Sequence, residues 1–193
     1  MQVLKDDVLN RILNAANEMF LSYGYDKTSV EKIAKKAGIS KSNLYNYFKS
    51  KDEIFCKLVD NAAIKFENLI KTFYNNEFHP AFGETGFEEM MSEEIFNLIC
   101  NYKDGLILLM NYATGTKYEN FKDNLISQIS DRFIFRYSNG NHCKDTLFRV
   151  IAENLFEGIT SLTIQLEDKE QLKFVLNSFI QYHSWGFRAL TSS

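Results

Sequence analysis

Proline is almost missing from this chain: Pro80 is the only one in 193 residues. Helices can therefore run long without their commonest interior breaker. Cysteine is scarce and odd in number, and Cys56, Cys100 and Cys143 lie far apart. That pattern excludes a disulfide framework and fits a reducing cytoplasm. No unbroken apolar run exceeds Leu106 to Met110, far short of the roughly 20 residues of a membrane span. The first nine residues carry Lys5, Asp6 and Asp7 and no apolar stretch, unlike a secretory signal. Signs of catalysis are equally thin. There is no nucleophile elbow, glycine-rich phosphate loop, paired cysteines or zinc-type histidine spacing. His79, His142 and His183 stand isolated, and each reads as an ordinary surface or core histidine. The chain is accordingly expected to be no enzyme and to need no cofactor and no metal.

What the sequence does contain is helical periodicity nearly everywhere, with no useful β-alternation and no internal repeat. Val8, Ile12, Ala15 or Ala16, Met19 and Phe20 mark a first helix, with Asp6 or Asp7 as its cap and Gly24 as its stop. Thr28 or Ser29 can cap a short second helix with Val30, Ile33, Ala34 and Ala37 inward, and Gly38 ends it. Ser40 caps a third, with Leu44 and Phe48 inward. A fourth starts near Lys51 and holds Phe55, Leu58, Val59, Ala62, Phe66, Leu69 and Phe73 on one face. The stretch from Asn75 to Gly86, around Pro80, reads as the main loop. Helices are then expected near 87–101, 103–113, 118–137, 144–166 and 169–190. The fold class is all-α, with about nine helices.

Net charge is -3, which taken alone argues against nucleic acid, but the distribution is uneven. From Lys27 to Lys51 seven lysines face one acid, Glu31, a local net of +6, while the remainder carries -9. Local patches, not totals, attract phosphate. A solvated lysine-rich surface would look the same on charge alone.

The second and third helices are joined by Ala37-Gly38-Ile39-Ser40, the spacing of a helix-turn-helix. Many αα-corners share that outline, so the outer face of the third helix carries the distinction. With Leu44 and Phe48 inward, Ser42 and Asn46 fall one turn apart on the opposite face. Lys41 and Tyr45 flank one side of them, and Asn43 and Tyr47 the other. Short hydrogen-bonding side chains at the centre can reach base edges, while Lys and Tyr at the edges can bond phosphates.

These residues resemble the tetracycline-repressor (TetR) family. The match runs without a gap over about residues 6–66: Gly24-Tyr25, Thr28-Ser29-Val30-Glu31-Lys32-Ile33-Ala34, Ala37-Gly38-Ile39-Ser40-Lys41, Leu44-Tyr45-Asn46-Tyr47-Phe48 and Ser50-Lys51. The resemblance implies a three-helix DNA-binding domain over 1–50, with the helix-turn-helix at about 29–48. It implies a larger helical regulatory, effector-binding and dimerisation domain over 51–193. It places Ser40, Lys41, Ser42 and Asn46 in the major groove, with Asn43 beside them and Tyr45 and Tyr47 on phosphates. Thr28 and Ser29 would bring the start of the second helix against the backbone, and Lys51 would do the same for the fourth. Position 42, often glycine in the family, is serine here, and position 46 is variable in the family.

The implied protein is a cytoplasmic bacterial homodimer on a palindromic operator, a repressor released by a small effector. The last two helices suit the interface, with Leu155, Ile159 and Leu162 on one stripe and Leu172, Leu176 and Phe179 on another. Gly158 and Gly186 would permit close helix approach. Each stripe reads equally well as intrachain core. Met90, Phe96, Tyr102, Met110, Tyr112, Phe121 and Phe156 are candidates to line an effector cavity among helices 87–137 and 144–166. Such a lining favours an apolar or aromatic effector, with Tyr102, Tyr112 or Asn111 as polar contacts. The alternative is a DNA-binding adaptor for a protein partner, with a filled core and no sensor.

Overall fold

The computed structural model describes residues 2–75 and 86–191, with side chains over 6–72 and 86–191. The side chain of Phe73, His79 and the expected loop around Pro80 lie outside the described residues. Among these residues there are eight helices and no strand: α1 (Gln2–Tyr23), α2 (Val30–Lys36), α3 (Lys41–Tyr45), α4 (Lys51–Asn75), α5 (Phe87–Asn111), α6 (Phe121–Tyr137), α7 (His142–Gln165) and α8 (Lys169–Thr191). Where the sequence suggests two helices, at 87–101 and 103–113, the backbone makes one. Tyr102 leaves helical geometry (φ -137°, ψ 24°) and the helix resumes beyond it. No proline is present there to forbid the resumption, so the break is a kink and the count falls from nine to eight. Helix α3 is shorter than its apolar spacing suggests, since Asn46 already acts as its C-cap.

The chain forms two compact units. The first comprises Met1–Ala63 with Asp104–Phe121, and the second Ile64–Lys103 with Lys122–Ser193. Two helices, α4 and α5, contribute residues to both, so the compact units divide the chain elsewhere than at residue 50.

In the first unit the rings of Phe20, Tyr25 and Phe55 pack 5.3–5.8 Å apart. Ile12, Ile33, Leu44 and Ile54 are fully buried around them. Each such side chain contributes about 1.5–3 kcal/mol of burial, enough to hold helices as short as α2 and α3, which would not persist alone. The segment after α5 is fastened to α4 by polar contacts. Asp60 accepts a hydrogen bond from the Tyr118 hydroxyl at 2.6 Å and pairs with the Lys117 ammonium at 3.1 Å.

The second unit is built on a second aromatic cluster. Phe133, Tyr137, Phe148 and Phe187 bring α6, α7 and α8 together with ring centroids 4.5–6.4 Å apart. Phe66 of α4 meets Phe156 of α7 at 5.9 Å. A buried carboxylate, Glu88, accepts from the Ser184 hydroxyl at 2.8 Å and pairs with Arg188, so its charge is compensated.

Candidate nucleic-acid interface

The candidate surface is assembled by two caps and one turn. Ser29 is extended (φ -115°, ψ 156°), and its hydroxyl accepts from the Lys32 N–H at 3.3 Å, starting α2. Gly38 follows α2 with φ +68°, a left-handed conformation that glycine adopts without strain. The chain turns there, Ile39 N–H bonds back to the Ala34 carbonyl at 3.0 Å, and Ser40 caps α3 by accepting from Asn43 N–H at 3.1 Å. Arg11 of α1 donates to the Ala37 carbonyl at 3.3 Å, fixing the turn from behind. Leu44 and Phe48 are buried under α3.

With that anchoring, Ser40, Lys41, Ser42, Tyr45 and Asn46 are exposed and Asn43 and Tyr47 are half-buried. The amide of Asn46 donates to the Asn43 side-chain oxygen at 3.4 Å, so the two asparagines orient one another. The Lys41 ammonium pairs with Glu31 of α2 and stands 5.8 Å from the Tyr45 ring centroid. The Lys41 hydrogen bond holds the Glu31 carboxyl at about 2, assisted by bonds from its own backbone and from Ser29. The same contact raises Lys41 above the ordinary lysine range. Lys27, Lys32, Lys35 and Lys36 are exposed on the same unit, with Lys36 paired to Glu18 at 2.5 Å.

Two of the expected contact residues are turned inward. Thr28 is 2% exposed, and its hydroxyl donates to the carbonyls of Gly24 at 2.8 Å and Met19 at 3.2 Å. The Lys51 ammonium donates to the carbonyls of Tyr25 at 2.6 Å and Thr28 at 2.9 Å and lies 3.8 Å from the Tyr25 ring centroid. Burial lowers its pKa. Both side chains thus donate within the chain, where the carbonyls of the turn after α1 need donors. Pairings of this kind, like Glu31 with Lys41 or Arg11 with Ala37, join residues 10 and 26 positions apart and leave no periodic signature.

The other expected site residues divide between the two units. Met90 and Tyr102 line a groove of about 470 Å³ between α4 and α5. Phe156 lines an apolar void of about 30 Å³. The Phe96 ring lies 5.3 Å from the Lys173 ammonium. Met110, Tyr112 and Phe121 belong to the first unit and line neither space; the Tyr112 carbonyl accepts from Tyr25 N–H at 3.3 Å, and Phe121 meets the Tyr118 ring edge-on. Of the expected interface residues, Leu155, Leu172 and Leu176 are buried within the chain. Ile159, Leu162 and Phe179 are half-buried. The Phe179 ring lies where a side chain at Gly158 would stand, so that glycine serves close approach between α7 and α8 of one chain. The large apolar side chains left exposed on α8 are Phe174, Tyr182 and Trp185, at 73%, 71% and 61%, and Leu190 at 41%.

A family model described as "Bacterial regulatory proteins, tetR family" matches residues 12–58, which hold both caps, the turn and the whole of α3. The chain carries a TetR-family DNA-binding segment. It is 25% identical over 187 residues to the transcriptional regulator QacR of Staphylococcus aureus, covering 89% of this chain and 94% of that one. It is 28% identical over 122 residues to IcaR, a negative regulator of the biofilm operon in Staphylococcus aureus, covering 63% of this chain and 61% of that one. A solved TetR-family regulator from Bordetella parapertussis shares the fold, with a TM-score of 0.64 at 17% identity over 90% of this chain and 92% of that one. TetR-family regulators bind operator DNA and dimerise, and this chain is a DNA-binding regulator. Among the described residues no helix is long and apolar enough to cross a membrane, and no cluster of three or more metal-ligating side chains occurs.

Proposed function

We propose that the chain is a homodimeric repressor that reads a palindromic operator with α3 and leaves it when a small effector binds the second unit. One observation carries the DNA part. The exposed face of α3 has Ser42 and Asn46 at its centre and Lys41 and Tyr45 at its edge, backed by buried Leu44 and Phe48. Ser42 and Asn46 suit base edges, and Lys41, Tyr45 and Tyr47 suit the flanking phosphates. Ser29, Ser40 and Asn43 hold the two helix starts that face the backbone. Two copies are needed because one such helix makes few contacts, and successive major grooves lie about 34–36 Å apart.

Fluorescence anisotropy with promoter DNA from beside its own gene tests the reading, at salt between about 50 and 200 mM. Lys41→Ala with Tyr45→Phe is expected to weaken binding to all sequences and flatten the salt dependence. Ser42→Ala or Asn46→Ala is expected to change base preference instead. Unchanged affinity and salt slope in the double variant would refute the assignment.

For the effector, the aromatic and methionine lining around the second unit's interior supports an apolar or aromatic compound. A second reading, a DNA-binding adaptor for a protein partner without a sensor, draws support from that same interior, whose void of about 30 Å³ is too small for a ligand as it stands.

A further inference from the structure

Two spaces in the second unit share one side chain. The outer is the groove of about 470 Å³ between the second half of α4 and the first part of α5, a volume suited to a small molecule. The inner is the apolar void of about 30 Å³, room for about one water and no ligand. Leu69 lines both. Lys65, Asn68, Glu94 and Asn97 line the groove, and all four are exposed. Among the described residues these four side chains donate or accept no hydrogen bond and form no ion pair, whereas the Thr72 and Asn101 side chains are spent on the Asn68 and Asn97 carbonyls. The groove thus offers one ammonium, one carboxylate and two amides, with no net charge. Beyond Leu69 the surroundings change to Phe66, Met91, Ile95 and Phe156.

We infer that this pair of spaces is a single binding site for an amphipathic effector with a neutral or zwitterionic head. The head rests on Lys65, Asn68, Glu94 and Asn97, and the apolar part displaces Leu69 and spreads into the space among Phe66, Met91 and Phe156. Met91, unbranched and adaptable, can yield to it. A singly charged head would meet its own sign in either Lys65 or Glu94, which disfavours it relative to a dipolar one. At about 30 Å³ the inner space cannot take the apolar part as it stands, so the ligand binds only a conformation with Leu69 moved, and binding shifts the population toward that conformation. The inference rests on the ligand-released repressor reading only for its consequence at DNA.

Calorimetric titration of the full chain tests it with three ten-carbon probes below their micelle concentrations: decyldimethylamine oxide, decanoate and decyltrimethylammonium. The amine oxide is expected to bind once per chain, at least about tenfold tighter than either ion. Leu69→Trp, which plugs the passage, and Asn97→Leu, on the exposed rim, are each expected to weaken it at least about tenfold. Both should keep the helical circular-dichroism spectrum and operator affinity of the wild type. No binding, equal binding of all three probes, or unchanged binding in Asn97→Leu overturns the site. Asn97→Leu decides alone if Leu69→Trp fails to fold. A chain that binds the amine oxide with these effects but no promoter DNA supports the site and removes the repressor reading. One that binds DNA and no amine oxide does the reverse.

Discussion

At the scale of single residues, the contact between Glu31 and Lys41 governs how the reading face presents its charge. Both side chains are exposed, so the pair adds little to stability. With Lys41 on a phosphate, as proposed above, that phosphate would compete with Glu31 for the same ammonium. Glu31→Gln is expected to raise operator affinity roughly three- to tenfold at low salt and to steepen the salt dependence by up to about one unit of slope. Anisotropy titrations at several salt concentrations measure both. The pH behaviour follows from the depressed carboxyl, whose folded value of about 2 lies below its ordinary 4.5. Its contribution is present above pH 4.5 and disappears as pH falls through about 2. An NMR titration of the Glu31 side chain should show that midpoint, and Lys41→Ala should return it toward the ordinary carboxyl range. Tyr25 has a different duty. Its hydroxyl donates to Asp52 at 2.6 Å, and burial followed by that bond raises its pKa. Tyr25→Phe is expected to cost about 1–2 kcal/mol in urea unfolding, since Asp52 is exposed and can rehydrate.

Among the elements, the pairing of α7 with α8 depends on one glycine. A Cβ built on Gly158 would stand 2.0 Å from the Phe179 ring, so the ring occupies the space a side chain would need. Its other neighbour is His183, at a ring-centroid distance of 4.5 Å and half-buried, which lowers the histidine pKa. Gly158→Ala should therefore destabilise by about 1–3 kcal/mol through overpacking, despite alanine's higher helix propensity. In the Phe179→Ala background the same change should be near neutral or stabilising, because the opposing ring is gone. Chemical denaturation of the four proteins in that cycle gives the coupling directly. Equal costs in both backgrounds would show that the ring does not depend on the glycine.

For the whole molecule, the outward apolar surface of α8 bears on assembly. Phe174, Tyr182 and Trp185 are spaced to share one side of the helix, and each is more than half exposed in the single chain. Exposed large apolar groups in a row mark an interaction surface, and a symmetric partner would cover them with the same residues. Phe174→Asp with Trp185→Asp is expected to convert the dimer to a folded monomer in sedimentation velocity. Operator affinity should fall by at least about a hundredfold as the second reading head is lost. A folded dimer in that double variant would place the interface elsewhere.

The all-α class, the helix-turn-helix and the identity of its outward face were legible in the residues alone. Each rests on local chemistry: periodic apolar positions, Ser29 and Ser40 as caps, Gly38 at the turn, and Leu44 opposite Ser42. Such features act over one or two helical turns, so the sequence displays them in order. What it did not determine was how side chains are spent over long separations. Thr28 and Lys51 carry groups suited to phosphate, yet their side chains donate hydrogen bonds to the carbonyls of Gly24 and Tyr25. Leu155, Leu172 and Leu176 repeat at helical spacing whether a stripe meets its own chain or a second copy. Only packing shows them buried within one chain, while Phe174 and Trp185 stay outside. The groove and the void on Leu69 likewise depend on which helices meet there, α4 and α5 at the groove and α4 to α8 around the void. An apolar pattern says that a face must be covered; which neighbour covers it, and where the fit leaves space, is decided by the tertiary structure.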